Sequence, residues 1–391
     1  MPFARRGDIL RPGDMLHEET LAMGTGIVAA AVFVLAVGGA AIALRPGFGR
    51  LPRGERLERI RRSPNYRDGA FRNRQPTALM TSGGGRFRAL WNYLTADRKG
   101  RYPERPVPAV RTDLRGMPLS DNWMVWFGHS SYLLQLDGKS ILVDPVFHWA
   151  APVPFVNRAF PGTELYAPAD MPDIDCLVIT HDHWDHLDYR TVKELRTRVK
   201  KVVCPLGVGA HFEYWGFDRN MLVELDWQEC AALDTAPAIR VHCLPARHFS
   251  GRGLIPNKTL WASFLLETPS MKVYIGGDGG YGTHFAAIGR EHPGIDLAIL
   301  ENGQYSDDWR YIHLLPRWLG QAAADLKAKR LVTVHHSKYA LARHRWDEPL
   351  ENELRAAEEY SLDLTVARIG EAVPLAGSRS AAGSDGRGEK P

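Results

Sequence analysis

The 391-residue chain predicts an αββα sandwich, two sheets packed face to face with helices outside, preceded by one membrane-spanning helix. Three observations carry this prediction. Short apolar runs of strand length recur with helical segments interposed in both halves of the chain. Histidines and aspartates follow directly on several of those runs, at the strand ends where α/β proteins gather their chemistry. Leu21 to Leu44 run for 24 positions without a charged residue, long enough to cross a bilayer as a helix.

Residues 1–20 are polar and mixed in charge. The span at 21–44 competes with a cleavable signal peptide, since Ala41-Ile42-Ala43 has the small-x-small form of a cleavage site. The run is longer than a usual signal core, and four acids against three arginines precede it, which favours an uncleaved anchor. Arg5, Arg6 and Arg11 stand before it, whereas Arg45, Arg50, Arg53, Arg56, Arg59, Arg61 and Arg62 follow closely. The positive-inside rule then places the C-terminal side in the cytoplasm; cleavage would instead export the domain.

Residues 45–119 form an Arg- and Pro-rich juxtamembrane arm. Residues 45–115 carry 18 Lys or Arg against 6 Asp or Glu, although the whole chain has a net charge of only +4. Next to an apolar span, that basic run predicts attraction to anionic headgroups. Nucleic acid ranks lower because no recognisable nucleic-acid module accompanies it. From Ser63 onward the arm shows little periodicity and reads as extended chain laid over the next domain, capping one sheet edge.

The catalytic domain is expected over 120–375. Trp123 to Phe127, Ser131 to Leu136 and Ser140 to Val143 read as antiparallel strands, with Asp137-Gly138 as a turn. Cys176 to Thr180 is a buried strand; Tyr189 to Val199 has helical spacing. Val202 to Cys204, Leu222 to Trp227, Ala238 to Leu244, Leu260 to Leu266 and Lys272 to Ile275 are further strands. Helices near Thr283 to Arg290 and Arg317 to Ala328 alternate with strands Leu297 to Leu300 and Leu331 to Val334. Residues 376–391 read as a disordered tail. Cys176, Cys204, Cys230 and Cys243 make no CxxC pair and read as buried thiols in a reducing compartment.

His181-Asp182-His183-Trp184-Asp185-His186 follows the strand at 176–180. Three imidazoles and a carboxylate at this density are nitrogen and oxygen ligands of the kind Zn²⁺ and similar ions prefer. Asp182, beside the first ligand, reads as a support or a solvated residue. A binuclear centre needs more donors, and three strand ends offer them: His248 in Ala246-Arg247-His248, Asp278 in Gly277-Asp278-Gly279, and the pair His335-His336 after Val334.

The run Trp126-Phe127-Gly128-His129-Ser130 through Leu142-Val143-Asp144-Pro145, the HDHWDHLD stretch, Gly276-Gly277-Asp278, Trp309 with His313 and Pro316, and His335 with Tyr339-Ala340-Leu341-Ala342 carry a resemblance. Together they resemble the metallo-β-lactamase-fold branch containing N-acylphosphatidylethanolamine-hydrolysing phospholipase D, over about residues 63–375. The resemblance implies that His181, His183 and His248 bind one metal, that Asp185, His186 and His335 bind the other, and that Asp278 bridges them. His335 is implied rather than His336 because the family ligand lies four residues before the aromatic of the run at Tyr339. Two Zn²⁺ are the implied cofactors, with iron or manganese as alternatives. His313 matches a family histidine that would donate to the phosphate or protonate the leaving alkoxide, and His129 would support the site from behind. The chain departs from the family at Arg317-Trp318, where acidic residues are usual.

The implied activity is phospholipase D-type hydrolysis of an N-acylphosphatidylethanolamine-like phospholipid, with catalytic roles for Asp278 and His313. Hydrolysis of another ester, lactone, amide or nucleotide substrate on the same metals is the alternative. An iron-dependent oxidoreductase is the alternative from a different class. Nothing in the sequence fixes the oligomeric state.

Overall fold

The computed structural model describes residues 44–81, 99–153, 156–233 and 238–375, with the single positions 33, 38, 39, 91, 95 and 97. The expected segment 1–20, most of the anchor at 21–44 and the expected tail at 376–391 lie outside the described residues. Among the described residues no helix is long and apolar enough to cross a membrane. The chain divides into two units, Met1–Phe48 and Gly49–Pro391. In the first, Pro46–Phe48 forms a single 3₁₀ turn; everything below concerns the second.

That unit opens with helix α1 (Gly54–Arg62) and a hairpin of β1 (Tyr66–Arg67) and β2 (Ala70–Phe71). The helix was hidden by its arginines, yet Ile60 is fully buried and Phe71 with it, both in the core between the sheets. The arm from Gly54 to Phe71 is therefore part of the folded unit. Arg56 binds Glu224 at 2.6 Å and Glu213 at 2.8 Å, and Arg59 binds Glu229 at 2.6 Å. These two guanidinium groups are thus paired with carboxylates of the same domain.

The first sheet comprises β3 (Trp123–Trp126), β4 (Tyr132–Leu136), β5 (Lys139–Val143), β6 (Ile174–Val178), β7 (Val199–Pro205) and β8 (Leu222–Leu225), in that spatial order. The β4–β5 hairpin turns through Asp137 (φ 47°) and Gly138 (φ 81°), both left-handed as a two-residue turn requires. Pairing is antiparallel from β3 to β5 and parallel from β5 to β8. Helices α2 (Tyr189–Leu195) and α3 (Gly209–Tyr214) cover its outer face. Asp188 caps α2, accepting from Arg190 N at 3.1 Å.

The second sheet repeats the plan with β9 (Cys230–Leu233), β10 (Ile239–Leu244), β11 (Ser263–Glu267), β12 (Lys272–Ile275), β13 (Leu297–Glu301) and β14 (Arg330–Val334). It is antiparallel from β9 to β12 and parallel onward. Helix α4 (His284–Glu291) follows β12, α5 (Pro316–Leu326) follows β13, and α6 (Glu348–Tyr360) follows β14. Short strands β15 (Asp363–Leu364) and β16 (Ala372–Pro374) finish the chain, β15 beside β14 and β16 beside β3, so the C-terminal segment edges both sheets.

Strand alternation builds the layers. On β6, Cys176 and Val178 enter the core between the sheets, while Leu177 between them packs outward with Val192, Leu195 and Phe212 of α2 and α3. On β13, Leu297 and Ile299 point inward, and Ala298 and Leu300 pack against Leu319, Ala322 and Leu326 of α5. The result is the expected αββα sandwich. Cys176, Cys204 and Cys243 are buried thiols as expected; Cys230 differs, being exposed on edge strand β9.

Candidate metal centre

Both sheets deliver polar side chains to one rim. The loop after β6 brings His181, His183, Asp185 and His186. The chain after β10 brings His248, the turn after β12 brings Asp278, the last residue of β13 is Glu301, and His335 follows β14. Gly277 makes the turn possible: its φ is +60°, and a Cβ there would lie 2.9 Å from Thr180 Cβ. His129, Asp144 and His335 also hold left-handed backbone, at φ 52°, 41° and 70°. Such conformations cost of order 1 kcal/mol each in non-glycine residues, and their clustering at one rim marks a place built for something other than stability.

Asp278 is the hub, 4% exposed. Its Oδ2 lies 3.2 Å from His186 Nε2, 3.8 Å from His248 Nε2, 3.8 Å from His313 Nδ1 and 4.0 Å from His181 Nε2; its Oδ1 lies 3.2 Å from His335 Nδ1. Around it the donors fall into sets. His181, His183 and His248 form one, and Asp185, His186, His335 and His129 another, the ligand atoms of each set lying within 4.8 Å of one another. His183 Nδ1 is 2.9 Å from His181 Nε2 and 3.2 Å from His248 Nε2.

Several of the rings are braced by a hydrogen-bond partner, those of His186 and His248 on the side away from Asp278. Asp144 Oδ2 meets His186 Nδ1 at 2.9 Å, while Thr180 donates to the same carboxylate from N at 2.8 Å and from Oγ1 at 2.6 Å. Ile312 O meets His248 Nδ1 at 2.6 Å, Ser130 Oγ meets His335 Nδ1 at 2.8 Å, and His129 Nε2 meets Asp185 Oδ2 at 3.0 Å. Asn73, from the arm, grips the backbone of His248 twice: it donates to the carbonyl at 2.7 Å and accepts from the N–H at 3.2 Å. Such outer partners fix ring orientation in metal centres.

Burial pushes the imidazoles of His181, His248 and His335 down well below the usual histidine range, with mutual repulsion adding to it. They are thus neutral, the form that ligates. Burial works the other way on Asp278, but the charged imidazole of His186 outweighs it and holds the carboxyl well below its ordinary range. His186 Nε2, Asp278 Oδ1 and His335 Nε2 are buried without a satisfactory hydrogen bond. Buried polar atoms rarely go unpaired, and donors left open in the midst of these clusters suit a place for cations. The residues therefore fit a centre of two divalent cations held by nitrogen and oxygen.

His313 lies in the wall of the same cavity. Burial lowers its basicity, but Glu301 Oε2 at 2.7 Å from Nδ1, with Asp278 behind, raises it to about 9. Glu301 also accepts from Gly279 N at 2.6 Å and Leu314 N at 3.0 Å. His336 points away, bonding Thr333 and Ser337 and packing on Trp126. Asp182 is turned out of the donor ring. His148 and His242 pair with Glu194 and Glu267.

Sequence reasoning missed Glu301, Asp144's role, Ser130 and Asn73. Glu301 and Asp144 had a signal: Glu301 follows the apolar run Leu297 to Leu300, and Asp144 follows Ile141 to Val143, as Asp278 and His335 follow theirs. A cavity of about 600 Å³ opens over the centre, with Leu79, Met80, Phe249, Leu254, Trp309 and Leu341 among its apolar walls.

Residues 139–336 match the β-lactamase superfamily domain. An uncharacterised protein of Mycobacterium tuberculosis is 39% identical over 330 residues, covering 81% of this chain and 84% of that protein. The N-acyl-phosphatidylethanolamine-hydrolyzing phospholipase D 1 of Caenorhabditis elegans is 31% identical over 232 residues, covering 55% of this chain and 64% of that protein. Among solved structures, the metallo hydrolase Igni18 of Ignicoccus hospitalis superposes with a TM-score of 0.52 at 22% identity, covering 66% of this chain and 99% of that one.

Proposed function

The chain belongs to the β-lactamase superfamily as a metal-dependent hydrolase, and from that premise we propose that it is a phosphodiesterase acting on an N-acylphosphatidylethanolamine-like phospholipid. The observation that carries this reading is the joining of two donor sets, with Asp278 between them, to a cavity whose other walls are mostly apolar. A phosphodiester with an acyl chain matches both halves of that environment. The likeness to the nematode phospholipase D supports it.

In this reading His181, His183 and His248 would hold one cation and Asp185, His186 and His335 the other, with Asp278 available to both. Zinc suits these donors, with iron or manganese as alternatives. Bound there, two divalent cations would supply Lewis-acid polarisation of the phosphoryl group and acidify a water at neutral pH. The protein's part is to hold and aim. Asp144, Ser130 and Ile312 O fix the rings, and Asp278 remains ionised among them. Glu301 keeps His313 protonated, so that its imidazolium hands a proton to the alkoxide leaving phosphorus as the headgroup-side P–O bond breaks. The products are phosphatidic acid and an N-acylethanolamine. The apolar segment 21–44 would confine the domain to the cytoplasmic face of the bilayer that contains its substrate.

Asp278→Asn tests the site. It should lose at least one metal by elemental analysis and most of its rate on both lipid and water-soluble diesters; two retained metals with full activity would remove Asp278 from the centre. Turnover of soluble diesters alone by the unaltered protein would refute the lipid substrate.

A further inference from the structure

The metal loop is gripped from behind as well as from the cavity side. Asp182, between the ligands His181 and His183, is 2% exposed and faces away from the donor ring. Its Oδ1 accepts from Gly251 N at 2.7 Å, and its Oδ2 accepts from Thr259 Oγ1 at 2.8 Å and lies 3.1 Å from His211 Nε2. Arg252 donates to the carbonyls of Asp182 at 2.9 Å and Leu187 at 2.7 Å, its guanidinium 4.0 Å from the centre of the Trp184 ring.

The contact with His211 leads somewhere unexpected. His211 lies on α3 and is 1% exposed. Its other ring nitrogen, Nδ1, accepts from the backbone N–H of Arg50 at 3.0 Å. Because Arg50 N is a donor, Nδ1 is the unprotonated nitrogen, and Nε2 carries the hydrogen given to Asp182. One tautomer thus satisfies both ends. The preceding Gly49 has φ +70°, and a Cβ on it would lie 2.0 Å from His211 Nδ1, so the main chain passes directly against the ring. A two-step relay joins the backbone at residue 50 to the residue between two metal ligands.

We propose that His211 is a positioning residue for the metal centre and that the Gly49-Arg50 segment is the strut that sets it, making cation affinity dependent on how the chain enters the domain. The proposal rests on the reading of His181 and His183 as ligands. Its physical content is that of an outer partner one bond further removed than usual: His211 shares with Gly251 N and Thr259 Oγ1 the hold on the Asp182 carboxylate, and His211 is itself held by a main-chain N–H. In the sequence the apolar run ends at Leu44, so the strut lies within six residues of the segment expected to enter the bilayer.

The test is cation affinity of the full-length protein, measured by competition between the metal-free enzyme and a chromophoric zinc chelator, with thermal melts alongside. His211→Ala should weaken zinc binding about 10- to 100-fold, the range for lost outer partners. His211→Gln, whose amide can accept from Arg50 N and donate to Asp182, should recover most of it. Gly49→Ala retains the imidazole but displaces it, and should resemble His211→Ala. Arg50→Ala keeps the N–H and should stay within about twofold of the unaltered protein.

Zinc affinity within twofold for His211→Ala or Gly49→Ala, with or without a lowered melting temperature, would overturn the proposal. So would failure of both variants to fold with zinc supplied, which would make the role structural alone. If the unaltered protein bound no zinc, the reading of the centre itself would fall. If it bound zinc and the variants bound it equally well, only the strut would.

Discussion

Asp144→Asn isolates the contribution of an outer carboxylate with little disturbance elsewhere. The residue sits at φ 41°, a conformation asparagine tolerates nearly as well as aspartate, so the backbone is not the target. Its Oδ1 bond from Thr180 N, at 2.8 Å, survives the change. At Oδ2 an amide nitrogen would face two groups that now give it hydrogens, Thr180 Oγ1 at 2.6 Å and His186 Nδ1 at 2.9 Å. Thr180 can turn its hydroxyl toward His181 Nδ1 at 3.0 Å; His186 has no such recourse. With Asp144 1% exposed, one or two buried donors left unmatched cost about 1–3 kcal/mol each. The metal-free protein should therefore lose roughly 2–4 kcal/mol of stability in urea melts. The released His186 ring should weaken cation binding by about 10- to 100-fold in chelator competition. Unchanged affinity, together with a stability loss of that size, would show that Asp144 merely packs and does not aim His186.

Three further outcomes follow from the same structure. Glu353 is buried, and that burial outweighs its hydrogen bond from Thr333, raising its carboxyl to about 7 from an ordinary 4.5. Between those values the folded state keeps a proton the unfolded chain has lost. Stability should accordingly fall by up to about 3 kcal/mol as pH rises from 4.5 to 7. Glu353→Gln should lack that slope, and an equal stability difference between variant and unaltered protein at about pH 5 and about pH 8 would refute the assignment. Leu254 is fully exposed at the rim of the cavity. Leu254→Asp should lower kcat/KM on long-chain lipid in vesicles roughly tenfold or more while affecting a short-chain diester less; equal losses would remove the loop from lipid contact. Deleting residues 1–44 should leave turnover of a soluble analogue intact and reduce that on vesicles, more so at high salt. An equally active truncated protein on vesicles at low and high salt would divorce the apolar segment from catalysis.

The strands nearest the site were legible because each is an apolar run with a chemically conspicuous residue at its end. Cys176 to Ile179 before the HDHWDH stretch and Leu331 to Val334 before His335 are the clearest. What stayed hidden was decided by contacts rather than pattern. Helix α1 is dominated by arginines whose acidic partners lie more than 150 residues away. Strand β9, Cys-Ala-Ala-Leu, has weak strand formers and exists because β10 pairs with it. Asn73 and His248 are 175 positions apart, and nothing local to either announces the other. Glu301 was within reach, since the rule that found Asp278 applies to it unchanged.

The two sheets contribute to the rim unequally and incompletely. His181 and His183 come from the first sheet and need His248 from the second; Asp185 and His186 come from the first and need His335 from the second. Neither donor set survives separation of the layers, so cation binding and the docking of the two sheets are linked functions. At a free concentration roughly a thousandfold above its Kd, each cation would favour the docked arrangement by about 4 kcal/mol and contribute nothing once the layers part. The rim is in that sense a clasp between the two sheets, and cation affinity becomes a gauge of how firmly the sandwich is shut.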